Sequence, residues 1–261
     1  MPRFAANLSM LFTEWPFLDR FEAAARAGFK GVEYLFPYDY DPAELKARLT
    51  AHGLAQVLFN LPAGDWAGGE RGLGCLPERQ DAFRAGVAQA IAYAQVLGNT
   101  HVNCLAGIRP KGVSEAALQA TLVGNLRYAA DQLGAAGIRL VIEAINPRDI
   151  PGFYLTTTAQ ALALREQVGS DNLFLQYDLY HMQITEGDLA HTLSTQLPAI
   201  HHVQLADNPG RHEPGTGEIN YPFIFQHLDR IGYDGWVGCE YTPLAGTLQG
   251  LGWFEAARGE R

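Results

Sequence analysis

The chain has 261 residues, of which 48% are hydrophobic, and it carries a formal net charge of -9 with a pI of about 5.3. This length and apolar content are enough for a sizeable core, which argues against an intrinsically disordered protein. The acidity argues against general affinity for nucleic acid or for an anionic membrane, because both require basic patches.

The cysteines and the N-terminal segment indicate a soluble protein of a reducing compartment. Cys75, Cys104 and Cys239 form no CxxC pair and are odd in number, which argues against a disulfide framework or a thiolate zinc site. The N-terminal stretch MPRFAANLSMLFTEWPF contains polar residues before any long apolar segment can form, so it resembles neither a signal peptide nor a membrane span. We therefore expect a cytoplasmic location.

Short apolar segments alternate with longer segments of helical periodicity along the whole chain. The predicted strands span residues 4–11, 32–36, 54–61, 101–107, 139–144, 173–178, 200–206 and 236–241. The predicted helices span residues 17–28, 41–53, 79–98, 114–137, 157–169, 188–197, 221–232 and 247–259. Periods near two and near 3.6 residues are the physical basis of the two assignments.

Local signals support the helix assignments. Asp41, Pro42 and Glu44 occupy the N-cap, N1 and N3 positions expected at the start of a helix. One predicted helix carries an apolar stripe at steps of three and four: Leu118, Leu122, Leu126, Ala129 and Leu133. Glycines that can end a helix follow four of the segments: Gly28, Gly53, Gly98 and Gly137.

Eight consecutive strand-plus-helix units predict the fold class, an α/β protein with a single (β/α)8 TIM barrel. No Pro/Ser linker or change in composition divides the chain, so we expect one domain over residues 1–261. A doubly wound open sheet is the alternative. The barrel is favoured because four late strands end in polar residues, and barrel active sites are built at the carboxyl ends of strands.

Those four late strands end in Glu143, Asp178, Gln204 and Glu240. Burying an isolated carboxylate costs several kcal/mol or more, so such residues need partners. At equivalent places in consecutive units, they would converge on one point and offer oxygen ligands to one divalent cation, Mg²⁺ or Mn²⁺. For each residue alone, a solvated or arginine-paired carboxylate at the barrel rim is an equal alternative.

Two further residues could complete a small-molecule site. His181 follows Asp178 in the predicted loop QYDLYHMQ, and it could donate a hydrogen bond or move a proton near neutral pH. Arg211 opens the polar loop RHEPGTGEIN and could hold a carboxylate with two donors. A histidine that anchors its loop and an arginine that faces solvent remain the alternatives.

The segment GDWAGGERGLG, from Gly64 to Gly74, combines flexible backbone with the aromatic Trp66. A mobile lid over the barrel mouth and an irregular packed cap both fit this composition.

Missing motifs narrow the chemistry. The sequence contains no GxGxxG after a strand, no Walker motif and no HExxH, so nothing indicates an organic cofactor or a zincin. The lysines are Lys30, Lys46 and Lys111, and none lies in a predicted strand, which argues against a Schiff-base aldolase.

The chain resembles the hydroxypyruvate isomerase family, within the wider xylose-isomerase-like TIM barrels. The similar stretches run along the whole chain: RFAANLSMLF, GVEYLFPYDYD, NLPAGDWAGGERG, NCLAG, NLRYAAD, LVIEAIN, QYDLYHMQ, ADNPGRHEPGTGEINY and GWVGCEY.

The resemblance implies a set of residue roles. It implies a metal held by Glu143, Asp178, Gln204 and Glu240, with the two glutamates also moving the proton, and substrate contacts from His181 and Arg211. The chain departs from many related sugar isomerases and epimerases at Gln204, where they carry a histidine ligand. His201 and His202 lie just before it and are alternative ligands.

The resemblance also implies an activity and a partner. The expected reaction interconverts hydroxypyruvate and tartronate semialdehyde by proton transfer through an enediolate, as part of glyoxylate metabolism, with a small 2-keto acid as the partner. Isomerisation of a related short sugar acid such as a 2-oxo-tetronate is the first alternative, and sugar epimerisation is another. Two other classes of protein are alternatives to an isomerase. One is a zinc phosphodiesterase, which would need a histidine cluster and a basic face. The other is a sugar-acid binding protein without catalysis. The sequence leaves open whether the chain forms a homo-oligomer.

Overall fold

In the computed structural model, which describes residues 1–259, a parallel sheet is surrounded by helices. The strands are β1 (Arg3–Asn7), β2 (Gly31–Glu33), β3 (Ala55–Gln56), β4 (Leu58–Asn60), β5 (His101–Cys104), β6 (Arg139–Glu143), β7 (Leu173–Asp178), β8 (Ile200–Leu205) and β9 (Trp236–Cys239). The α-helices are α1 (Arg20–Arg26), α2 (Pro42–His52), α3 (Gln80–Leu97), α4 (Glu115–Ala135), α5 (Thr158–Val168), α6 (Leu179–Thr185), α7 (Leu189–Gln196), α8 (Tyr221–Arg230) and α9 (Gly252–Arg258).

The sheet closes into a barrel at the third predicted strand. The strand order is β3-β2-β1-β9-β8-β7-β6-β5-β4, and β3 and β4 are two pieces of the predicted strand 54–61. Val57, which separates them, donates from its backbone N–H to the Val32 carbonyl at 2.9 Å, and Asn60 N donates to Leu35 O at 3.0 Å. The TIM barrel prediction is therefore confirmed, and the alternative of an open sheet is wrong.

The helix predictions are confirmed at the positions where local signals were strongest. The Asp41 side chain accepts a hydrogen bond from Ala43 N at 2.8 Å at the start of α2, and the left-handed residues Gly53 and Gly98 end α2 and α3. The apolar stripe of α4 is buried from Leu118 to Leu133. One helix was missed: α6 follows β7 directly, where the sequence analysis expected a loop.

Inward-facing side chains of the strands form layers inside the barrel. A small apolar cluster of Ala5, Val57, Leu58 and Val141 packs against Phe174 and Trp236. Two residues further along several strands, the same face carries polar groups, because alternate residues of a strand share a face. Polar residues at the carboxyl end therefore rest on an apolar floor.

The three cysteines lie in the interior of the protein. All three cysteines are unpaired and buried, as core residues would be. Among the residues that the structure describes, no helix is both long and apolar enough to cross a membrane.

The close approach of β9 to β2 leads to a stability prediction. A Cβ at Gly238 would overlap both carboxylate oxygens of Glu33, and Glu33 is held in place by hydrogen bonds from three other side chains. Gly238→Ala should therefore lower the free energy of unfolding by about 1–3 kcal/mol, measured by urea denaturation. The matched control is Gly124→Ala on the exposed face of α4, where a Cβ meets no atom and helix propensity should add up to about 1 kcal/mol. Equal stability of the Gly238→Ala variant and the wild type would show that Glu33 can move aside.

Candidate active site

The four predicted strand-end residues lie together at the carboxyl end of the barrel. Glu143 ends β6, Asp178 ends β7, Gln204 is in β8 and Glu240 follows β9 directly. Asp178 and Gln204 are neighbours in register, and Glu240 N donates to Leu205 O at 3.1 Å. All four side chains are buried, with exposures of 5% or less. Their convergence is a consequence of parallel strands that all end at one side of the barrel.

A cavity of about 90 Å³ opens among these residues. Its lining includes Glu143, Gln204, Glu240, His181 and Arg211. Apolar residues complete the wall, among them Met10, Leu105, Ile145, Ile150 and Trp66. A small volume with charged groups on one side and apolar groups on the other suits a small polar ligand.

His181 lies on helix α6 and not in a loop, so its predicted setting was wrong. The cause is Asp178, whose Oδ1 accepts a hydrogen bond from Tyr180 N at 2.8 Å and caps the new helix. One turn later, His181 Nε2 faces back toward Glu143 Oε1 at 3.7 Å and Asp178 Oδ2 at 3.6 Å. Ligand atoms of these three residues lie within 4.8 Å of one another, a spacing that a metal ion could span.

The second carboxylate oxygen of Asp178 supports a cation site. Asp178 is 1% exposed, yet its Oδ2 receives no hydrogen bond from any described residue. A buried carboxylate oxygen without a donor is costly unless a positive charge lies nearby. Its neighbour Glu143 accepts a hydrogen bond from Asn103 Nδ2 at 3.2 Å on Oε2, and the side chain of Gln176 also donates to this carboxylate. These residues fit a hard divalent cation, which prefers oxygen ligands.

Arg211 points into the site, so the alternative of a solvent-facing arginine is wrong. Its Nη2 donates to Glu240 Oε2 at 2.8 Å and lies 4.0 Å from Asp178 Oδ2. The guanidinium also lies 3.8 Å from Asp149 Oδ2 and stacks over the ring of Tyr180. Its Nε is buried and has no acceptor among the described residues.

The loop that carries Arg211 is held by one buried carboxylate, Asp207. Its Oδ1 accepts from Asn208 N and Ile219 N, and its Oδ2 accepts from Gly215 N at 2.8 Å. The backbone N–H of Arg211 donates to Asp207 O at 3.0 Å, and Arg211 takes a left-handed φ of 56°. This network aims the guanidinium inward although its residue lies in a loop.

Gln204 belongs to a hydrogen-bonded chain beneath the cavity. Its Nε2 donates to Glu33 Oε1 at 2.7 Å, and its Oε1 accepts from Gln176 Nε2 at 2.5 Å. Amide donation to Glu33 orients the oxygen of Gln204 away from that carboxylate. The structure therefore leaves Gln204 a candidate oxygen ligand, and its ligand role stays a prediction.

The two histidines before Gln204 are not placed as ligands of this site. His202 Nε2 lies 2.8 Å from Glu33 Oε2, so this ring is hydrogen-bonded to the carboxylate at the end of β2. The ring of His201 stacks on Phe174 with centroids 3.7 Å apart. Neither belongs to the close group of ligand atoms formed by Glu143, Asp178 and His181.

Burial and mutual repulsion shift the titration of the site carboxylates. Desolvation raises the pKa of Glu143 well above its ordinary value, and Glu240 and Asp178 add to the shift. Desolvation likewise raises the pKa of Asp178 to about 6 and that of Glu240 to about 8, although Arg211 opposes both. Desolvation lowers the pKa of His181 well below its ordinary value, so its ring is neutral at pH 7. The site thus holds several protons that a cation would displace.

The segment from Gly64 to Gly74 covers one side of the cavity. Trp66 packs against Phe36 with ring centroids 5.0 Å apart, and Arg71 lies over its ring at 4.3 Å. Gly72 N donates to Ala63 O at 3.1 Å and ties the segment to the barrel. The packed cap is the arrangement observed, and movement of the segment as a lid stays a prediction.

A larger cleft of about 510 Å³ lies at the opposite end of the barrel. It is lined by residues that begin strands, among them Arg3, His101, Arg139 and Trp236. No buried carboxylate belongs to its lining, so the chemistry described above is confined to the smaller cavity.

Comparison with known proteins agrees with this architecture. A family model described as xylose isomerase-like TIM barrel matches residues 21–257. Hydroxypyruvate isomerase of Escherichia coli is 56% identical over 99% of this chain and 100% of its own length. The 2-oxo-tetronate isomerase of Cupriavidus necator is 51% identical, with coverage of 99% and 100%.

Solved structures show the same fold. A Brucella melitensis protein described as an AP endonuclease of family 2 superposes with a TM-score of 0.96 and 47% identity, over 98% of this chain and 99% of that one. The E. coli 3-keto-D-glucoside 4-epimerase superposes with a TM-score of 0.82 at 20% identity, over 98% and 99% of the two chains, and shows the shared fold alone.

A parallel barrel with carboxylates at its strand ends, together with the family match over most of the chain, defines the class of this protein. The chain belongs to the xylose isomerase-like TIM barrel family. It is an isomerase, related over its full length to the hydroxypyruvate and 2-oxo-tetronate isomerases.

Several residues of the site were not predicted from the sequence. Asn7 ends β1, Glu33 ends β2, and Asn103 lies one residue before the end of β5. A signal existed for Glu33, since it is a carboxylate in an apolar strand like Glu143. The apolar residues that follow Glu33 made it look like the middle of a longer strand. Asn7 and Asn103 are uncharged and gave no comparable signal.

The raised pKa values predict how metal affinity depends on pH. A cation can bind only when protons leave the carboxyl groups of Asp178 and Glu240, whose pKa values are about 6 and about 8. Lowering the pH from 8 to 6 should therefore weaken Mn²⁺ binding by on the order of tenfold or more, measured by calorimetric titration. Glu213→Gln, which changes a buried loop carboxylate bound to Leu244 N, should keep the same pH dependence. A constant Mn²⁺ affinity over this range would show that these carboxyl groups do not compete with the cation.

Proposed function

We propose that the chain interconverts hydroxypyruvate and tartronate semialdehyde by proton transfer through an enediolate. The observation that carries the proposal is the cavity itself, which two buried glutamates, Glu143 and Glu240, line together with the guanidinium of Arg211. Glu143 ends β6 and Glu240 follows β9, and two strands separate β6 from β9 in the sheet. A substrate between them would meet one carboxyl group on each side.

Arg211 is the residue proposed to bind the substrate carboxylate. It is the arginine among the residues that line the cavity, and its Nε–H has no acceptor. Two donors on a planar guanidinium match the two oxygens of a carboxylate. Its bond to Glu240 would place the anionic end of the substrate beside that glutamate.

The glutamates are proposed to move the proton. One carboxylate removes a hydrogen from C3 of hydroxypyruvate, and the C–H electron pair forms the C2–C3 double bond of the enediolate while the carbonyl electrons move to the C2 oxygen. The C3 hydroxyl proton then passes to the C2 oxygen, the C3–oxygen double bond forms, and the electron pair of the C2–C3 double bond takes up a proton at C2. Burial raises the pKa of both glutamates, and a raised pKa makes the carboxylate form a stronger base toward a C–H group. His181 is proposed to donate a hydrogen bond to a substrate oxygen.

A divalent cation, Mg²⁺ or Mn²⁺, is proposed as the cofactor, held by Glu143, Asp178, Gln204 and Glu240. The buried Oδ2 of Asp178, which receives no hydrogen bond from any described residue, supports this assignment. When bound, such a cation polarises a carbonyl oxygen and makes the hydrogen on the adjacent carbon more acidic. The proposal needs no organic cofactor.

The substrate is the least constrained part of the proposal. The E. coli relative is called a hydroxypyruvate isomerase and the Cupriavidus relative a 2-oxo-tetronate isomerase, at similar identities of 56% and 51%. Small differences in substrate length are decided by a few loop contacts. Hydroxypyruvate is proposed first because the relative of higher identity acts on it by name, and a 2-oxo-tetronate is the second candidate. The net charge of -9 does not favour a nuclease-like function.

Hydrogen exchange in D₂O tests the reaction and both bases. Wild-type protein with Mg²⁺ or Mn²⁺ should convert hydroxypyruvate with deuterium entering the product, and a panel of short 2-keto acids followed by NMR should rank the substrates. Glu143→Gln and Glu240→Gln should each lower turnover by on the order of 10² or more, because each removes the basic oxygen of one carboxylate. One variant should still exchange substrate hydrogen without forming product, if each glutamate serves one carbon.

The matched control for this experiment is Glu213→Gln, which should turn over like the wild type. Metal content after dialysis separates loss of the cation from loss of the base. If both site variants contain metal and isomerise within about threefold of wild type, the carboxylates are not the acid–base groups.

Arg211→Lys tests the binding of the substrate carboxylate. A lysine keeps the charge but loses the two-donor fork, so KM should rise more than kcat falls, by on the order of tenfold or more in kcat/KM. Arg26→Lys on the exposed face of α1 is the control and should leave both constants unchanged. Both constants within about twofold of wild type in the Arg211→Lys variant would remove Arg211 from the substrate site.

A further inference from the structure

Asn146 lies three residues beyond the end of β6 and is completely buried. Its Oδ1 accepts hydrogen bonds from Arg148 N at 3.0 Å and from Asp149 N at 2.9 Å. Its Nδ2 lies 2.7 Å from Nδ1 of His181. The side chain therefore joins the turn after β6 to the histidine of α6.

The two backbone donors determine which way the amide of Asn146 faces. Reversing the amide would place its NH₂ group against two N–H groups and leave both without their acceptor, which is unfavourable. The oxygen must therefore face the backbone of Arg148 and Asp149. The NH₂ group must then face His181.

The orientation of this amide determines where the imidazole proton lies. An NH₂ group can only donate, so Nδ1 of His181 must accept and cannot carry a proton. The neutral ring then has its proton on Nε2, the nitrogen that faces Glu143 Oε1 and Asp178 Oδ2. A protonated Nε2 has no lone pair for a metal ion.

We propose that Asn146 is a positioning residue that holds His181 as the Nε2–H tautomer, which excludes this histidine from the metal ligands and makes it a hydrogen-bond donor to a substrate oxygen. The part concerning the substrate oxygen rests on the proposed isomerase function, whereas the tautomer does not. A neutral imidazole N–H can polarise a carbonyl or stabilise a developing enediolate without giving up its proton. The close group of Glu143, Asp178 and His181 then consists of two candidate ligands and one donor.

The first test is the tautomer of His181 in the wild-type protein. Two-bond ¹H–¹⁵N correlation spectra of the ¹⁵N-labelled full chain distinguish a protonated from an unprotonated ring nitrogen. A His181→Gln variant identifies the signal that disappears. The expected result is a proton on Nε2 and none on Nδ1, unchanged when the protein is saturated with Mg²⁺. A proton on Nδ1, or an Nε2 signal that shows coordination of the added metal, would overturn the proposal.

Asn146→Asp tests the role of the amide with little change in shape. One carboxylate oxygen can still accept from Arg148 N and Asp149 N, while the other becomes an acceptor that faces Nδ1 of His181. Nδ1 should therefore gain a proton, and turnover should fall by about tenfold or more even though the melting temperature stays close to wild type. The signal of His202, which bonds to Glu33, should not move and is the internal control.

The outcomes separate this inference from the proposed function. If Nδ1 stays unprotonated in the Asn146→Asp variant, Asn146 does not control the tautomer. If the tautomer changes as expected and the wild type isomerises no keto acid of the panel, the tautomer control stands and the proposed function fails. If the variant does not fold, the wild-type spectrum alone decides whether the Nε2–H tautomer is present.

Discussion

The structure of the site depends on the repulsion among three carboxylates that are buried at one end of the barrel. Two unit charges about 4 Å apart interact with roughly 4 kcal/mol at the effective dielectric of a protein surface, and more strongly in the interior. Glu143, Asp178 and Glu240 are each 5% exposed or less, so water cannot screen them. Neighbouring groups must lower this cost by donating hydrogen bonds, by opposite charge or by protonation of the acids.

The opposite charge and the hydrogen-bond donors that lower this cost come from different parts of the chain. Arg211 supplies the positive charge from the loop after β8, and Asp207 holds that loop in place. Asn7 and Asn103 donate from β1 and β5 to Glu240 and Glu143. The remaining cost raises the pKa values of the acids. A divalent cation would lower it further, since its charge opposes the repulsion among the carboxylates.

The fold contributes rigidity beneath this charged layer. Glu33 accepts hydrogen bonds from Asn7, Gln204 and His202, and Gly238 leaves the space that this carboxylate occupies. Below it, apolar residues fill the barrel and cannot compete for hydrogen bonds. A solved structure of only 20% identity has the same fold, and a fold by itself does not determine the function that the side chains at its site perform.

The sequence by itself determined the barrel, most of its helices and the place of the site. Alternating periods specify strands and helices locally, and parallel strands bring Glu143, Asp178, Gln204 and Glu240 to one end without further information. The sequence also contained the signals for α6 and for Glu33, an N-cap aspartate and a strand carboxylate, which were not recognised as such. Only the tertiary structure decided that Arg211 faces inward, that His202 serves Glu33, and that Asn146 reaches His181. These contacts join residues that are distant in the chain, and a side chain's partner depends on loop paths and hydrogen-bond geometry that no local pattern encodes.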